Sequence, residues 1–72
     1  MTSIRTTDDF ITAVRARRRQ LGLTQEQLAG VIGVHRTQIV YLESGHRRPS
    51  LDTALRVAQA LGLDFDLKSR GE

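Results

Sequence analysis

The stretch Gly22–Gly45, which reads GLTQEQLAGVIGVHRTQIVYLESG, predicts two short amphipathic helices joined by a tight turn. Thr24 and Gln27 have the spacing of a capping box, in which each side chain bonds the other residue's backbone N–H. The first of the two helices therefore begins after Thr24. Gly33 ends it, because glycine readily adopts the left-handed backbone conformation found just past helix C-termini. The second helix is predicted over residues 36–44.

One further helix is predicted on each side of this pair. The first, from about Thr7 to Leu21, begins with a threonine cap followed by an aspartate three residues on. The last begins after Ser50 and ends before Gly62. Each has an apolar stripe that we expect to be buried: Phe10, Ile11, Val14, Arg18 and Leu21 in the first, and Leu51, Ala54, Leu55, Ala58 and Leu61 in the last. The prediction is an all-α fold with a helical core over residues 7–62.

Length and composition predict one small domain over residues 1–72. The chain has no cysteine, so disulfides and thiolate metal sites cannot stabilise it. No apolar run approaches the roughly 20 residues that span a bilayer, and the first ten residues lack the layout of a secretory signal. These features predict a cytoplasmic protein that does not enter a membrane.

The number and clustering of basic residues indicate the kind of partner. The chain has 11 Lys+Arg against 8 Asp+Glu, a net charge of +3. Ten of the basic residues are arginine, and they cluster at residues 15–19 and 47–48. Guanidinium groups bind phosphate and guanine in bidentate fashion, so clustered arginine favours a nucleic-acid partner. The alternative interpretation is a solvated helix face.

The predicted helix over 36–44 has an inward and an outward face. Ile39 and Leu42 should face inward, while Arg36, Thr37, Val40 and Tyr41 face outward. Arginine can bind guanine, glutamine such as Gln38 can bind adenine, and a threonine methyl can touch the thymine methyl. These residue types alone favour the alternative, an ordinary polar helix surface. The spacing of the turn and the flanking basic loop at residues 46–49 instead favour readout of base edges in the major groove.

The segment over residues 63–68 changes its pattern to strict alternation of apolar and charged residues, which is typical of a half-buried strand. A single strand needs a partner for its backbone N–H and C=O groups. We therefore predict that Leu63, Phe65 and Leu67 mediate dimerisation through pairing with a second copy. Residues 69–72 are expected to be a flexible tail. The alternative is a disordered or loosely docked segment.

Several residue patterns together resemble the Cro/cI-type, or XRE-type, helix-turn-helix family. They are LTQEQLA at 23–29, Gly33-Val34, Ile39-x-x-Leu42-Glu43-x-Gly45, Pro49-Ser50-Leu51 and Ala60-Leu61-Gly62. The resemblance spans about residues 14–63. It implies a compact, lambda-repressor-like fold of four or five helices that binds double-stranded operator DNA as a homodimeric repressor.

The resemblance also implies residue roles. The base-reading positions are Arg36, Thr37, Gln38 and Tyr41, and the positions that contact the DNA backbone are Thr24, Gln25, His46, Arg47 and Arg48. Arg18 and Glu43 are implied to form a structural ion pair. His35 departs from the family, because histidine replaces the usual Ser or Thr cap. A phosphate contact by His35 is one role for it, and a half-exposed histidine without a special role is the other.

The physiological role has three interpretations. A small domain of this kind followed by a short strand looks like antitoxins that pair with kinase-type toxins and repress their own operon. A repressor without a toxin is the alternative, and so is a protein-interaction module with little DNA binding of its own. An enzyme is not expected, since no catalytic triad or metal-ligand spacing is present, and neither a cofactor nor a metal is implied.

Overall fold

The computed structural model describes residues 4–71, which form four helices. They are α1 (Thr7–Gln20), α2 (Gln25–Ile32), α3 (Arg36–Ser44) and α4 (Leu51–Ala60). The all-α prediction is confirmed for this part of the chain, with four helices rather than five. Across residues 4–71 no helix combines the length and apolar character that crossing a bilayer requires.

Local capping explains where three of the helices begin. Reciprocal capping boxes start α1, between Thr6 and Asp9, and α2, between Thr24 and Gln27. The Ser50 side chain accepts a hydrogen bond from the Thr53 N–H at the start of α4. Hydrogen bonds from the backbone N–H of Arg5 and from Thr6 lower the pKa of the Asp9 carboxyl below its ordinary value. The caps that the sequence predicted are thus confirmed.

All four helices contribute to one hydrophobic core. Its most deeply buried side chains are at most 2% exposed: Val14, Leu28, Ile39, Val57 and Leu61. Helix α2 packs mainly against α3, while α1 lies against α3 and α4 against α2. Because α3 is held from two sides, its orientation is determined by the core and does not require a ligand.

Part of the predicted core is wrong. Leu21, Leu51 and Leu55 are 44%, 72% and 38% exposed, whereas Val57 is completely buried. In α4 the buried stripe is Ala54, Val57, Ala58 and Leu61, which is rotated away from the predicted one. Both stripes share three residues, so the spacing of apolar residues could not distinguish which flank of α4 faces the other helices.

The predicted C-terminal strand is also wrong. Residues 63–69 have no regular secondary structure in the chain as described. Leu63 packs against the core, and the Phe65 ring stacks on Phe10 with centroids 5.7 Å apart, while Leu67 is 97% exposed. The alternation therefore reflects docking of two side chains onto the helices, since the single chain offers no neighbouring strand. The expected tail over 69–72 is exposed through Gly71, and Glu72 lies outside the described residues.

Gly30 lies inside α2 with nothing within 4 Å of the position that a Cβ would occupy. We expect Gly30→Ala to raise the free energy of unfolding by about 0.5–1 kcal/mol, because alanine loses less backbone entropy in a helix. Urea denaturation followed by circular dichroism measures the change. Gly33→Ala is the matched control: its Cβ is equally free of contacts, but its φ of +82° should make the substitution destabilising. Equal effects at both positions would contradict the backbone argument.

Candidate nucleic-acid interface

The C-terminal end of α3 is closed by backbone hydrogen bonds around Gly45. This residue has a φ of +75°, in the left-handed region that favours glycine. Its N–H donates to the Leu42 carbonyl at 3.2 Å, and the His46 N–H donates to the Tyr41 carbonyl at 3.0 Å. These two bonds form a Schellman motif. The loop after α3 is consequently folded back over the helix's last turn.

Glu43, near that end of α3, is 3% exposed and anchors the helix to α1. Its carboxylate accepts two hydrogen bonds from Arg18, from Nε at 2.7 Å and from Nη2 at 3.0 Å. Arg18 is 8% exposed and also donates to the Leu23 carbonyl at 2.8 Å. The predicted ion pair is therefore confirmed, in the bidentate form that fixes both distance and angle.

Two more side chains strengthen this anchor. Gln25, the first residue of α2, donates from Nε2 to Oε1 of Glu43 at 3.2 Å. Arg15 donates from Nη2 to the backbone carbonyl of Glu43. The hydrogen bond to Glu43 raises the pKa of the Arg18 guanidinium above its ordinary value. Helices α1 and α2 thus both bond to one residue of α3, and no buried polar side-chain atom of the described residues lacks a partner.

The N-terminal end of α3 is open to solvent. Arg36, Thr37 and Gln38 are all exposed and adjacent, and Arg36 and Gln38 have no hydrogen bond that would hold their side chains against the described protein. Tyr41 and Val40, one turn later, are half-buried instead of fully outward. The structure therefore brings three of the four predicted base-reading residues to one accessible helix end and places the fourth differently.

His35 precedes α3 and makes no side-chain capping bond. We expect His35→Ser to raise the free energy of unfolding by about 0.5–1 kcal/mol, because a serine hydroxyl can accept a hydrogen bond from a free N–H of the first turn. Thermal or urea unfolding measures the gain. His35→Ala should give no such gain. A loss of stability with serine would show that the imidazole contributes a contact of its own.

The basic loop lies beside the same helix. Arg47 and His46 are exposed and approach the Tyr41 ring, while Arg48 donates from Nη1 to Oγ1 of Thr7 at 3.1 Å. A groove of about 200 Å³ lies between α3, the loop and the start of α4. It is lined by Gln38, Tyr41, Leu42, Arg47, Arg48, Pro49, Ser50 and Thr53. Two of the three loop residues predicted to contact a DNA backbone, Arg47 and Arg48, therefore line one concave surface.

The predicted backbone contacts in α2 have structural roles as well. Thr24 caps α2, and Gln25 braces Glu43 while remaining half-exposed. A contact between Gln25 and a phosphate stays a prediction. The amide would then link the DNA backbone directly to the residue that anchors α3.

Several arginines have roles that sequence reasoning missed. Arg17 donates to the Leu61 carbonyl at 2.9 Å, beside the C-terminus of α4, and Arg56 donates to the Ile32 carbonyl at the end of α2. A cation near a helix C-terminus is favourable because the carbonyl groups there are partly negative. The arginine cluster of α1 is thus largely committed to the fold. The carbonyl partners of Arg17 and Arg56 lie 44 and 24 residues away in sequence, so no local pattern could have revealed them.

The arrangement defines a class of protein. Helix α3 presents an exposed polar end after a three-residue turn from α2, and its other end is locked to α1 and α2, which is a helix-turn-helix domain. The chain belongs to the helix-turn-helix family, whose model matches residues 14–68.

Two similar proteins are described as transcriptional regulators of the helix-turn-helix type. An uncharacterized HTH-type transcriptional regulator of Methanothermobacter thermautotrophicus is 53% identical over 51 residues, covering 71% of this chain and 74% of that one. A second, y4mF of Sinorhizobium fredii, is 39% identical over 69 residues, covering 96% and 91%. The family and the domain length are therefore shared with proteins described as transcriptional regulators.

Solved structures match over nearly the whole chain. A HipB(S29A)–O2 20mer complex contains a chain with a TM-score of 0.87 and 27% identity, covering 99% of both chains. A chain in a HipA–HipB–O2–O3 complex has the same TM-score and identity, covering 99% of this chain and 100% of that one. Because the alignments cover 99% of this chain, they extend into the segment that follows α4.

Proposed function

We propose that this protein is a sequence-specific double-stranded DNA-binding repressor. The observation that carries the proposal is the exposed triplet Arg36, Thr37 and Gln38 at the N-terminal end of a helix whose other end is locked by Glu43. Because α3 is already held in place, it can enter a major groove without a further loss of conformational entropy to order the helix. The basic loop at Arg47 and Arg48 would then contact the phosphate backbone.

We further propose that the protein binds as a homodimer. Leu67 and Leu51 are 97% and 72% exposed, and Phe65 keeps 44% of its surface free although it stacks on Phe10. Leu51 and Phe65 line one groove, and a contiguous exposed apolar surface favours association with another surface. Dimerisation would involve these side chains together with Leu63. Two copies would place two recognition helices on half-sites about one helical turn apart.

Selection of bound sequences from random duplex DNA, at a stated salt concentration, tests both parts. We expect enrichment of a palindrome with half-sites whose centres are about 10 base pairs apart. Enrichment of a single half-site would support readout and contradict the dimer. If no sequence is enriched over background, the DNA-binding proposal fails and the interaction-module interpretation is favoured.

We also propose that the protein is an autoregulating antitoxin of a kinase-type toxin, acting in the cytoplasm on its own operon. The support is the resemblance of the sequence to such antitoxins and the likeness to a chain solved together with HipA. Co-expression with the protein encoded by the adjacent gene tests this proposal. The two proteins should co-elute in size-exclusion chromatography, and separate elution would contradict an antitoxin role.

A further inference from the structure

Three side chains form a stacked cluster where α3 meets the basic loop. The Tyr41 and His46 rings have centroids 4.9 Å apart and are tilted by 39°. The guanidinium carbon of Arg47 lies 5.3 Å from the centroid of the same Tyr41 ring, within the range of a cation–π interaction. Tyr41 is half-buried, whereas His46 and Arg47 are exposed. The tyrosine ring is thus in contact with two exposed side chains.

The backbone explains why the cluster forms. The Schellman motif at Gly45 returns the chain toward α3, with the His46 N–H bonded to the carbonyl of Tyr41 itself. The two residues that follow the glycine are therefore delivered to the ring that lies one turn earlier in the helix. This closure is made within the protein, so the cluster exists before any ligand binds.

The position of Tyr41 differs from that of the exposed triplet. Arg36, Thr37 and Gln38 project freely from the first turn, but Tyr41 lines the groove of about 200 Å³ between α3 and α4. Its ring is already in contact with an imidazole and a guanidinium. A ring that is half-buried and engaged in this way is poorly placed to touch a base edge.

We propose that Tyr41 is a positioning residue, a stacking platform that holds Arg47 and His46 toward the phosphate backbone and reads no base. The inference rests on the proposed DNA binding and assigns a role within that same surface. An arginine side chain loses much rotational freedom when it is immobilised. Stacking on Tyr41 removes part of that freedom in the free protein, so that less is lost on binding.

Fluorescence anisotropy can test the platform on the enriched palindrome and on a shuffled duplex of equal composition, between 50 and 200 mM salt. We expect Tyr41→Leu to weaken binding to both duplexes by the same factor. The slope of log affinity against log salt should fall by about 2, because each of the two subunits loses one phosphate contact. Arg47→Ala should do the same. The double variant should lose little more than either single variant, because both remove one contact.

Controls separate the platform from loss of structure and from loss of charge. Tyr41→Phe keeps the ring and should bind within about twofold of the original protein, since cation–π attraction does not need the hydroxyl. Arg70→Ala removes an equal charge from the C-terminal segment and should leave the slope unchanged. In NMR spectra of the free protein, the Arg47 side-chain protons should be shifted by the ring current of Tyr41 and lose that shift in Tyr41→Leu.

Three other outcomes would each overturn the proposal that Tyr41 is a stacking platform. A change of base preference at one operator position with an unchanged salt slope would make Tyr41 a base reader. Additive losses in the double variant would mean that Tyr41 and Arg47 act independently. A wild-type chain that binds neither duplex would overturn the proposed function, and the platform with it, whatever the Arg47 resonances show.

Discussion

Glu43→Gln is expected to lower the free energy of unfolding by about 3–5 kcal/mol. The substitution keeps the shape of the side chain but removes its charge, which leaves the guanidinium of Arg18 buried without a counter-ion. Arg18 cannot escape by losing its proton, because the ordinary pKa of a guanidinium already lies far above any working pH. The new amide also puts an NH2 donor in place of one carboxylate oxygen, so that in either orientation one N–H of Arg18 faces a donor.

Such a loss is large for a chain of 72 residues, whose total stability is expected to be on the order of 4–11 kcal/mol. Urea denaturation measures it. Asp66→Asn is the matched control, because it makes the same chemical change in an ion pair with Lys68 whose side chains are 74% and 82% exposed. It should alter stability by no more than about 0.5 kcal/mol.

The double variant Arg18→Met/Glu43→Leu distinguishes stability from orientation. Replacing both partners by apolar residues removes the uncompensated charge and should recover much of the stability. If the pair also holds α3 in register, this variant should be folded but bind DNA more weakly than the original protein. A loss of less than about 1 kcal/mol in Glu43→Gln would contradict the importance of the ion pair.

The helices could be predicted from sequence because their ends are determined locally. Thr6, Thr24 and Ser50 each bond a backbone N–H three residues on, so their side chains and their partners are read from the same short segment. The exposed triplet of α3 is polar and lies in the first turn of that helix, and these local features made its exposure predictable. Periodicity alone did not, because Arg36 lies three residues before Ile39 and Gln38 four before Leu42, on the same face of the helix.

The predictions that were wrong concern features that depend on distant parts of the chain. Whether Leu51 or Val57 is buried depends on the direction from which α1 and α2 approach α4, and periodicity within α4 is compatible with either. The alternation of apolar and charged residues over 63–68 is likewise compatible with two structures, a strand or an extended segment whose apolar side chains pack on the helices. The Phe65 ring stacks on Phe10, which lies 55 positions earlier in the sequence. No pattern of neighbouring residues predicts such a contact.

Charge was the least specific signal. The arginine-rich stretch 15–19 favoured a nucleic-acid partner, yet Arg15 and Arg17 donate to backbone carbonyls of other elements, and Arg18 bonds Glu43 and the Leu23 carbonyl. Guanidinium serves a helix C-terminus as readily as a phosphate, since both present partly negative oxygens. The charge that remains available near α3 is therefore smaller than the composition suggests, and it lies mainly in the loop after Gly45.

Arg36→Ala is expected to weaken binding to the enriched operator by about 1–3 kcal/mol and to relax specificity at one position of each half-site. Arg36 is exposed, begins α3 and has no partner among the described residues that would restrain its guanidinium. A bidentate contact with one guanine would then be lost, while the phosphate contacts of the loop persist. Binding to the shuffled duplex should change much less than binding to the operator.

Anisotropy titrations against operators substituted at each position measure the effect, with Arg47→Ala as the charge-matched comparison. Both variants remove one arginine from the same face, but only Arg36→Ala should change the order of preference among bases. Arg47→Ala should lower all affinities together and flatten the salt dependence. If the two variants behave alike, Arg36 contributes only charge, and sequence recognition must come from Thr37 and Gln38 or from the shape of the DNA.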